Sequence, residues 1–123
     1  MPRDFRKIKA WQLADILVIR VYKFTKSFPK EELYGLCSQI RRAVVSIATN
    51  IAEGAGRKHK KEYLKFLYIA KGSLAETDYL CYLSKQLGYI SQSEYSETTQ
   101  LLEETAKTLT GLIKTVTKEV ESD

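Results

Sequence analysis

Only two prolines, Pro2 and Pro29, and six glycines interrupt 123 residues, and this scarcity of breakers is the strongest constraint on the fold. Proline removes a backbone donor and glycine weakens a helix, so wide spacing of both leaves long stretches free to be helical. Within those stretches apolar residues recur at three- and four-residue steps, the period of a helix with one buried face. The first predicted helix spans about 8–26, with Trp11, Ala14, Leu17 (or Val18), Val21 and Phe24 inward. Ser27-Phe28-Pro29 ends it, because the residue before a proline is driven out of the α region. The second spans about 33–52, with Leu36, Ile40, Ala43 (with Val44), Ile47 and Ile51 as its stripe. Gly54 or Gly56 can close it in the left-handed conformation. The third spans about 60–87 and is stopped by Gly88. The fourth, about 92–120, opens on Ser91-Gln92-Ser93-Glu94, a capping box, with Ile90 and Tyr95 spaced as a hydrophobic staple. Short turns make successive helices antiparallel neighbours, so the expected fold is a single all-α domain over 1–123, an antiparallel up-down-up-down four-helix bundle. A chain of this length can bury about two thirds of its unfolded surface.

Beside the apolar stripe of the second helix runs a polar one: Gln39, Arg42, Ser46, Asn50 and Glu53, also at helical spacing. Burying an arginine and a glutamate unpaired would cost several kcal/mol, so they must meet partners or stay wet. On the third helix, Gly72, Ser73 and Ala70 form a small-residue patch that another helix could approach, with Glu76 alongside. The expectation is a structural polar layer in which Ser46, Asn50 and Glu53 face Ser73 and Glu76, with Arg42 as counter-charge. Seven of the eight residues from Tyr63 to Ala70 are apolar or aromatic. Such broad coverage implies burial on two sides, one of them against another subunit, with Tyr63, Leu64, Leu67 and Tyr68 as interface candidates. The competing reading has the tyrosines capping the core with wet hydroxyls.

The net charge of +5 is unevenly spread. Residues 1–30 hold eight Lys or Arg against two acids, and residues 31–61 hold six against three; from residue 62 onward there are six bases and ten acids. Positive charge thus concentrates in an N-terminal arm, Arg3, Arg6, Lys7 and Lys9, and in the run Arg57, Lys58, His59, Lys60 and Lys61. These nine residues are the nucleic-acid-binding candidates. Phe5 and Trp11 are interleaved with the arm, either as base-stacking groups or as core. Positive charge at a helix start opposes the macrodipole, a cost that a bound anion would relieve.

Other chemistries lack their residues. Di-iron bundles need four carboxylates and two Glu-x-x-His motifs, whereas the one histidine, His59, lies in a basic turn. Gly54-Ala55-Gly56 lacks the preceding strand and the remaining pattern of a phosphate loop. Cys37 and Cys81 have neither metal-ligand spacing nor a histidine context for nucleophilic work, and are expected reduced. No catalytic, cofactor or metal site is expected. No run approaches the roughly 20 apolar residues of a membrane span, and Asp15 and Arg20 break the N-terminal apolar stretch, so a cytoplasmic protein without membrane contact is expected.

The run Gln39-Ile40-Arg41-Arg42-Ala43, then Ser46, then Asn50-Ile51-Ala52-Glu53-Gly54, resembles the signature of the four-helix-bundle proteins of the 23S rRNA intervening-sequence family, also labelled S23 ribosomal proteins. The likeness continues through Phe66-Leu67, Ile69-Ala70, Gly72-Ser73 and Glu76, and Trp11-Gln12, Ala14, Phe28-Pro29 and Glu32 sit in family-like places. Thr77-Asp78 departs from it, since relatives often carry Leu-Glu there. The resemblance covers roughly residues 5–115. It implies a bacterial four-helix bundle, a ring-shaped homopentamer, and kinship with the accessory protein of diversity-generating retroelements, which works with a reverse transcriptase and nucleic acid. The functional expectation is a non-catalytic homo-oligomeric scaffold that binds nucleic acid, RNA ahead of DNA, or a nucleic-acid enzyme. The alternative is a protein-binding adaptor whose basic charge serves solubility.

Overall fold

Helical periodicity becomes four long helices in the computed structural model, which describes residues 3–123. They are α1 (Lys9–Thr25), α2 (Leu36–Ala55), α3 (Lys60–Gln86) and α4 (Gln92–Ser122), with 3-10 turns at Phe5–Lys7 and Lys30–Glu32; no strand occurs among the described residues. α1 and α3 each pack on both α2 and α4, closing a four-helix bundle around one core. Leu17 and Val21 of α1, Ile40, Ile47 and Ile51 of α2, Leu67 of α3 and Leu109 and Val116 of α4 are fully buried there.

Five polar residues are also buried in this core: Thr25, Thr77, Ser84, Thr98 and Thr105. Each hydroxyl donates to the carbonyl four residues back on its own helix, at 2.6–2.8 Å. They satisfy themselves locally and need no partner across the bundle. Cys37 and Cys81 are buried free thiols. Burial, with the nearby charge of Asp78, pushes the Cys81 thiol up to about 12.

Helix ends follow the chemistry of their residues. Ser91 and Glu94 form a full capping box at the start of α4, with Ile90 buried and Tyr95 packed against the core. The end of α3 is a Schellman motif: Gly88, at φ 77°, donates to the Lys85 carbonyl, and Tyr89 donates to that of Ser84. α2 begins three residues later than its periodicity suggests. Glu32 is the cause, since its Oε1 accepts the Leu36 N–H at 3.0 Å while its Oε2 accepts the Tyr89 hydroxyl at 2.9 Å. One carboxylate thus caps α2 and ties the α1–α2 connection to the α3–α4 turn.

Neither Gly54 nor Gly56 is left-handed. Gly56, at φ −82°, is the C-cap of α2, and Gly54 lies inside the helix, buried against α3. A Cβ at Gly54 would fall 2.8 Å from the Phe66 Cβ and 2.9 Å from the Tyr63 Cδ1. Its role is close approach of two helices. Gly72 does the reverse of what its neighbours suggested: it is exposed, with nothing within 4 Å of where a Cβ would be. No helix of the same chain approaches it.

Candidate nucleic-acid interface

The close α2–α3 contact at Gly54 sets the geometry of one end of the bundle. There the start of α1, the end of α2, the start of α3 and the end of α4 come together. The N-terminal arm is docked on it: Arg3 donates its backbone N–H to the Ala55 carbonyl at 2.8 Å. Asp4 caps the following 3-10 turn through the Arg6 N–H at 3.1 Å. Gln12 holds the same turn from α1 by donating to the Arg6 carbonyl at 2.8 Å. Phe5 meets Trp11 edge-on, with ring centroids 4.8 Å apart. Both rings pack against the core, so they anchor the arm and are not free to stack on bases.

The two basic clusters, about fifty residues apart in sequence, therefore share this end. Three of its arginines lie over aromatic faces: Arg3 over Tyr63 at 4.8 Å, Arg6 over Phe5 at 4.5 Å and Arg57 over Phe66 at 4.8 Å. Such stacking holds a guanidinium without consuming its donors. Arg3 pairs with Glu119, Arg6 with Asp4 at 3.4 Å and Lys60 with Asp123 at 3.5 Å. Burial lowers the Arg3 pKa, but the nearby Glu119 and Tyr63 outweigh it and the net shift is upward. Lys7, Lys9, Arg57, Lys58, His59 and Lys61 are exposed and have no ion-pair partner among the described residues.

Only part of the expected polar layer forms. Ser46 and Ser73 join α2 to α3 through a 2.8 Å hydroxyl–hydroxyl bond. Asn50 donates to the Ser46 carbonyl at 2.8 Å and to its hydroxyl at 3.0 Å. Arg42, Glu53 and Glu76 stay outside it, exposed and without ion-pair partners among the described residues. The reason is helical register: the buried stripe of α2 passes through Ala43, Ile47 and Ile51, which turns positions 42 and 53 toward water. Solvation there avoids the penalty of burying charge. The arginine that does engage is Arg41, whose Nε donates to Thr25 Oγ1 at 2.8 Å and whose guanidinium lies over Tyr22.

The four interface candidates divide. Tyr63 and Leu67 are 3% and 0% exposed inside the protomer, because they continue through Ala70 and Leu74 as the inward stripe of α3. Leu64 is half-buried against the core. Tyr68 is 54% exposed, and the outward face continues through Ile69, Tyr79 and Tyr82. Sequence reasoning missed Tyr79 and Tyr82. The usable signal was their spacing from Tyr68, eleven and fourteen residues, which returns each to nearly the same side of a helix.

No group of three or more His, Cys, Asp or Glu side chains suited to a metal occurs among the described residues. No helix among them is long and apolar enough to cross a membrane. The chain matches no curated protein. A crystal structure of a protein of unknown function from the S23 ribosomal protein family of Bacteroides thetaiotaomicron is similar to it, with a TM-score of 0.78 at 24% identity, over 85% of this chain and 95% of that one. At this identity the likeness concerns the fold alone. The family model of the 23S rRNA-intervening sequence protein matches residues 6–111. With that match spanning most of the four helices, the chain belongs to the 23S rRNA-intervening sequence protein family.

Proposed function

We propose that this protein is a non-catalytic, self-associating scaffold that binds nucleic acid through the basic end of its bundle. The observation carrying this reading is the convergence of the arm and the α2–α3 turn, locked by the bond from Arg3 to Ala55. Unpaired Lys7, Lys9, Arg57, Lys58 and Lys61 then form one cationic surface instead of two. The family's name, which refers to 23S rRNA, favours RNA over DNA. The helices run up-down-up-down and antiparallel, as supported by contacts between the end of α2 and the arm, between Ser46 and Ser73, and between Lys60 and Asp123.

Self-association rests on apolar groups left outside. Tyr68, Ile69, Tyr79 and Tyr82 on α3 and Ile16 and Ile19 on α1 are exposed. A closed ring, a homopentamer in particular, would cover them, give Arg42, Glu53 and Glu76 partners in a neighbouring copy, and multiply the +5 charge for multivalent binding. The test is fluorescence anisotropy with structured RNA and duplex DNA across a salt series, on protein whose molar mass has been measured by light scattering. The expected log K falls by about 0.7–0.9 per phosphate contact for each tenfold rise in salt, and neutralising Arg57, Lys58 and Lys61 abolishes binding. Absence of binding at low salt would overturn the nucleic-acid reading and leave a protein-binding adaptor; a monomer throughout the micromolar range would overturn the ring.

A further inference from the structure

α1 and α3 stand at opposite corners of the bundle and do not touch, yet each carries an exposed apolar feature on its outer side. On α1 it is a groove shared with α4, about 620 Å³, whose apolar lining is Ile16, Ile19 and Phe24. On α3 it is a pair of knobs, Tyr79 and Tyr82, preceded by the small and equally exposed Gly72 and Ala75. The two features lie at one height, and α4, which runs against both helices, is the ruler. Arg20 of α1 pairs with Glu97 at 3.1 Å, whereas Leu74 and Ala75 of α3 share a groove with Leu102 and Glu103. Glu97 and Leu102 are about 8 Å apart along α4, at about 1.5 Å per residue. The level of Arg20 therefore falls on α3 one such step beyond Leu74 and Ala75, at Tyr79.

We propose that Tyr79 and Tyr82 of one copy fill the α1–α4 groove of the next, head to tail and with the bundles parallel. The assignment rests on the self-association reading and names the surfaces that meet. Features on opposite corners of one chain cannot satisfy each other, and a two-fold dimer brings like to like, groove on groove or knob on knob. A heterologous contact uses both. Copies related by an axis along the bundle are not shifted against one another, so equal height brings the tyrosines to the groove without adjustment. Asp78 has no ion-pair partner among the described residues and lies on the α4 side of α3. Arg20 and Lys23 line the groove on the α4 side of α1, so the same contact brings Asp78 to two cations. Gly72, with nothing within 4 Å of a Cβ in its own chain, and Ala75 leave a dip for Ile16, which compensates a mid-helix glycine. An RNA strand is a poor occupant, because Asp15, Glu94 and Glu97 outnumber Arg20 and Lys23 around the groove and repel phosphate. Parallel copies also point every basic end to one side of the ring, where the cationic surfaces add.

The test starts from the molar mass of the full-length protein by light scattering across the micromolar range. Tyr79→Asp removes a knob and Ile19→Asp places charge in the groove; both positions are exposed, so each variant keeps the circular dichroism of the wild type. Each alone is expected to fall to the mass of one chain, 14.1 kDa. Mixed in equal amounts, they recover twice that mass and no more, because one sound groove and one sound pair of knobs remain between them. A second readout does not depend on the strength of the contact. Lys23→Cys and Tyr82→Cys combined in one chain oxidise to a ladder of linked chains on a non-reducing gel, and neither does so alone, since Cys37 and Cys81 are buried. A linked dimer from Tyr82→Cys alone, or mixing that recovers no mass, would overturn the head-to-tail contact. Wild-type assembly undiminished in both aspartate variants would overturn the docking while self-association stands. A wild-type monomer at every concentration would overturn both. Unchanged mass with weaker RNA binding in Tyr79→Asp would also overturn it, giving the tyrosines to base stacking.

Discussion

Gly54→Ala tests whether helix approach, and not helix termination, explains the glycine in the signature. The added Cβ would lie 2.8 Å from the Phe66 Cβ, 2.9 Å from the Tyr63 Cδ1 and 3.3 Å from the Tyr63 carbonyl oxygen. Carbon atoms prefer separations of about 3.5–4.0 Å, so roughly 0.6–1 Å must be found. Rotamer changes cannot supply it, because one contact is with a Cβ and another with backbone; α2 and α3 must part. Overpacking of this kind costs about 1–3 kcal/mol, against which alanine regains about 1 kcal/mol of helix propensity. The net expectation is a loss of up to about 2 kcal/mol, seen in urea unfolding followed by circular dichroism at one fixed protein concentration. In thermal unfolding this corresponds to a drop of up to about 10 °C for a domain of this size. Gly111→Ala is the matched control, since nothing lies within 4 Å of its Cβ position; it should stabilise α4 by about 0.5–1 kcal/mol. A gain in Gly54→Ala as large as that in Gly111→Ala would refute the close-approach argument.

Three further outcomes follow from the same contacts. Ser91→Ala removes the acceptor for the Glu94 N–H and should cost about 1 kcal/mol in the same unfolding assay. A double-mutant cycle on Ser46 and Ser73 should return a coupling of about 0.5–1.5 kcal/mol, whereas a cycle on Arg42 and Glu53 in the monomer should return none. The Cys81 thiol is pushed up to about 12 by burial, and Tyr63 and Tyr89 are also raised, the former mainly by burial and the latter mainly by its bond to Glu32. Folded protein holds these protons longer than unfolded chain does, so their stabilisation is complete below about pH 9 and is lost as pH climbs toward 12; denaturant midpoints measured from about pH 8 to 11 should fall, and native Cys81 should resist a thiol reagent at about pH 8.

The helices were legible because periodicity reports burial, and the capping box at Ser91 was legible because its chemistry is local. What sequence could not show were features created by two elements meeting. Gly54 looked like a terminator, since closeness to α3 leaves no mark on α2's own pattern. Glu32 gave no sign that it would cap α2 and hold Tyr89 from across a turn. Arg42 was expected as the counter-charge of a polar layer, but register turns it toward water, and it is Arg41 that finds a partner, in Thr25 and outside that layer. Tyr63 and Leu67 belonged to a run apolar on almost every side, in which the inward stripe could not be told from the outward one. The basic clusters were each visible, but their convergence depended on docking of the arm at Ala55.

That shared end is built from two helix termini charged against their own dipoles. α3 begins with Lys60 and Lys61, only partly offset by Glu62 in the same turn, and α4 ends with Glu119, Glu121 and Asp123, with no base in its last turn. Each arrangement alone weakens its helix by about 0.3–1 kcal/mol. Placed side by side, the two compensate through the pairs of Lys60 with Asp123 and Arg3 with Glu119. Both pairs are substantially solvent-exposed, and such pairs contribute only about 0–1 kcal/mol. They are weak enough for salt to loosen them without disturbing the fold.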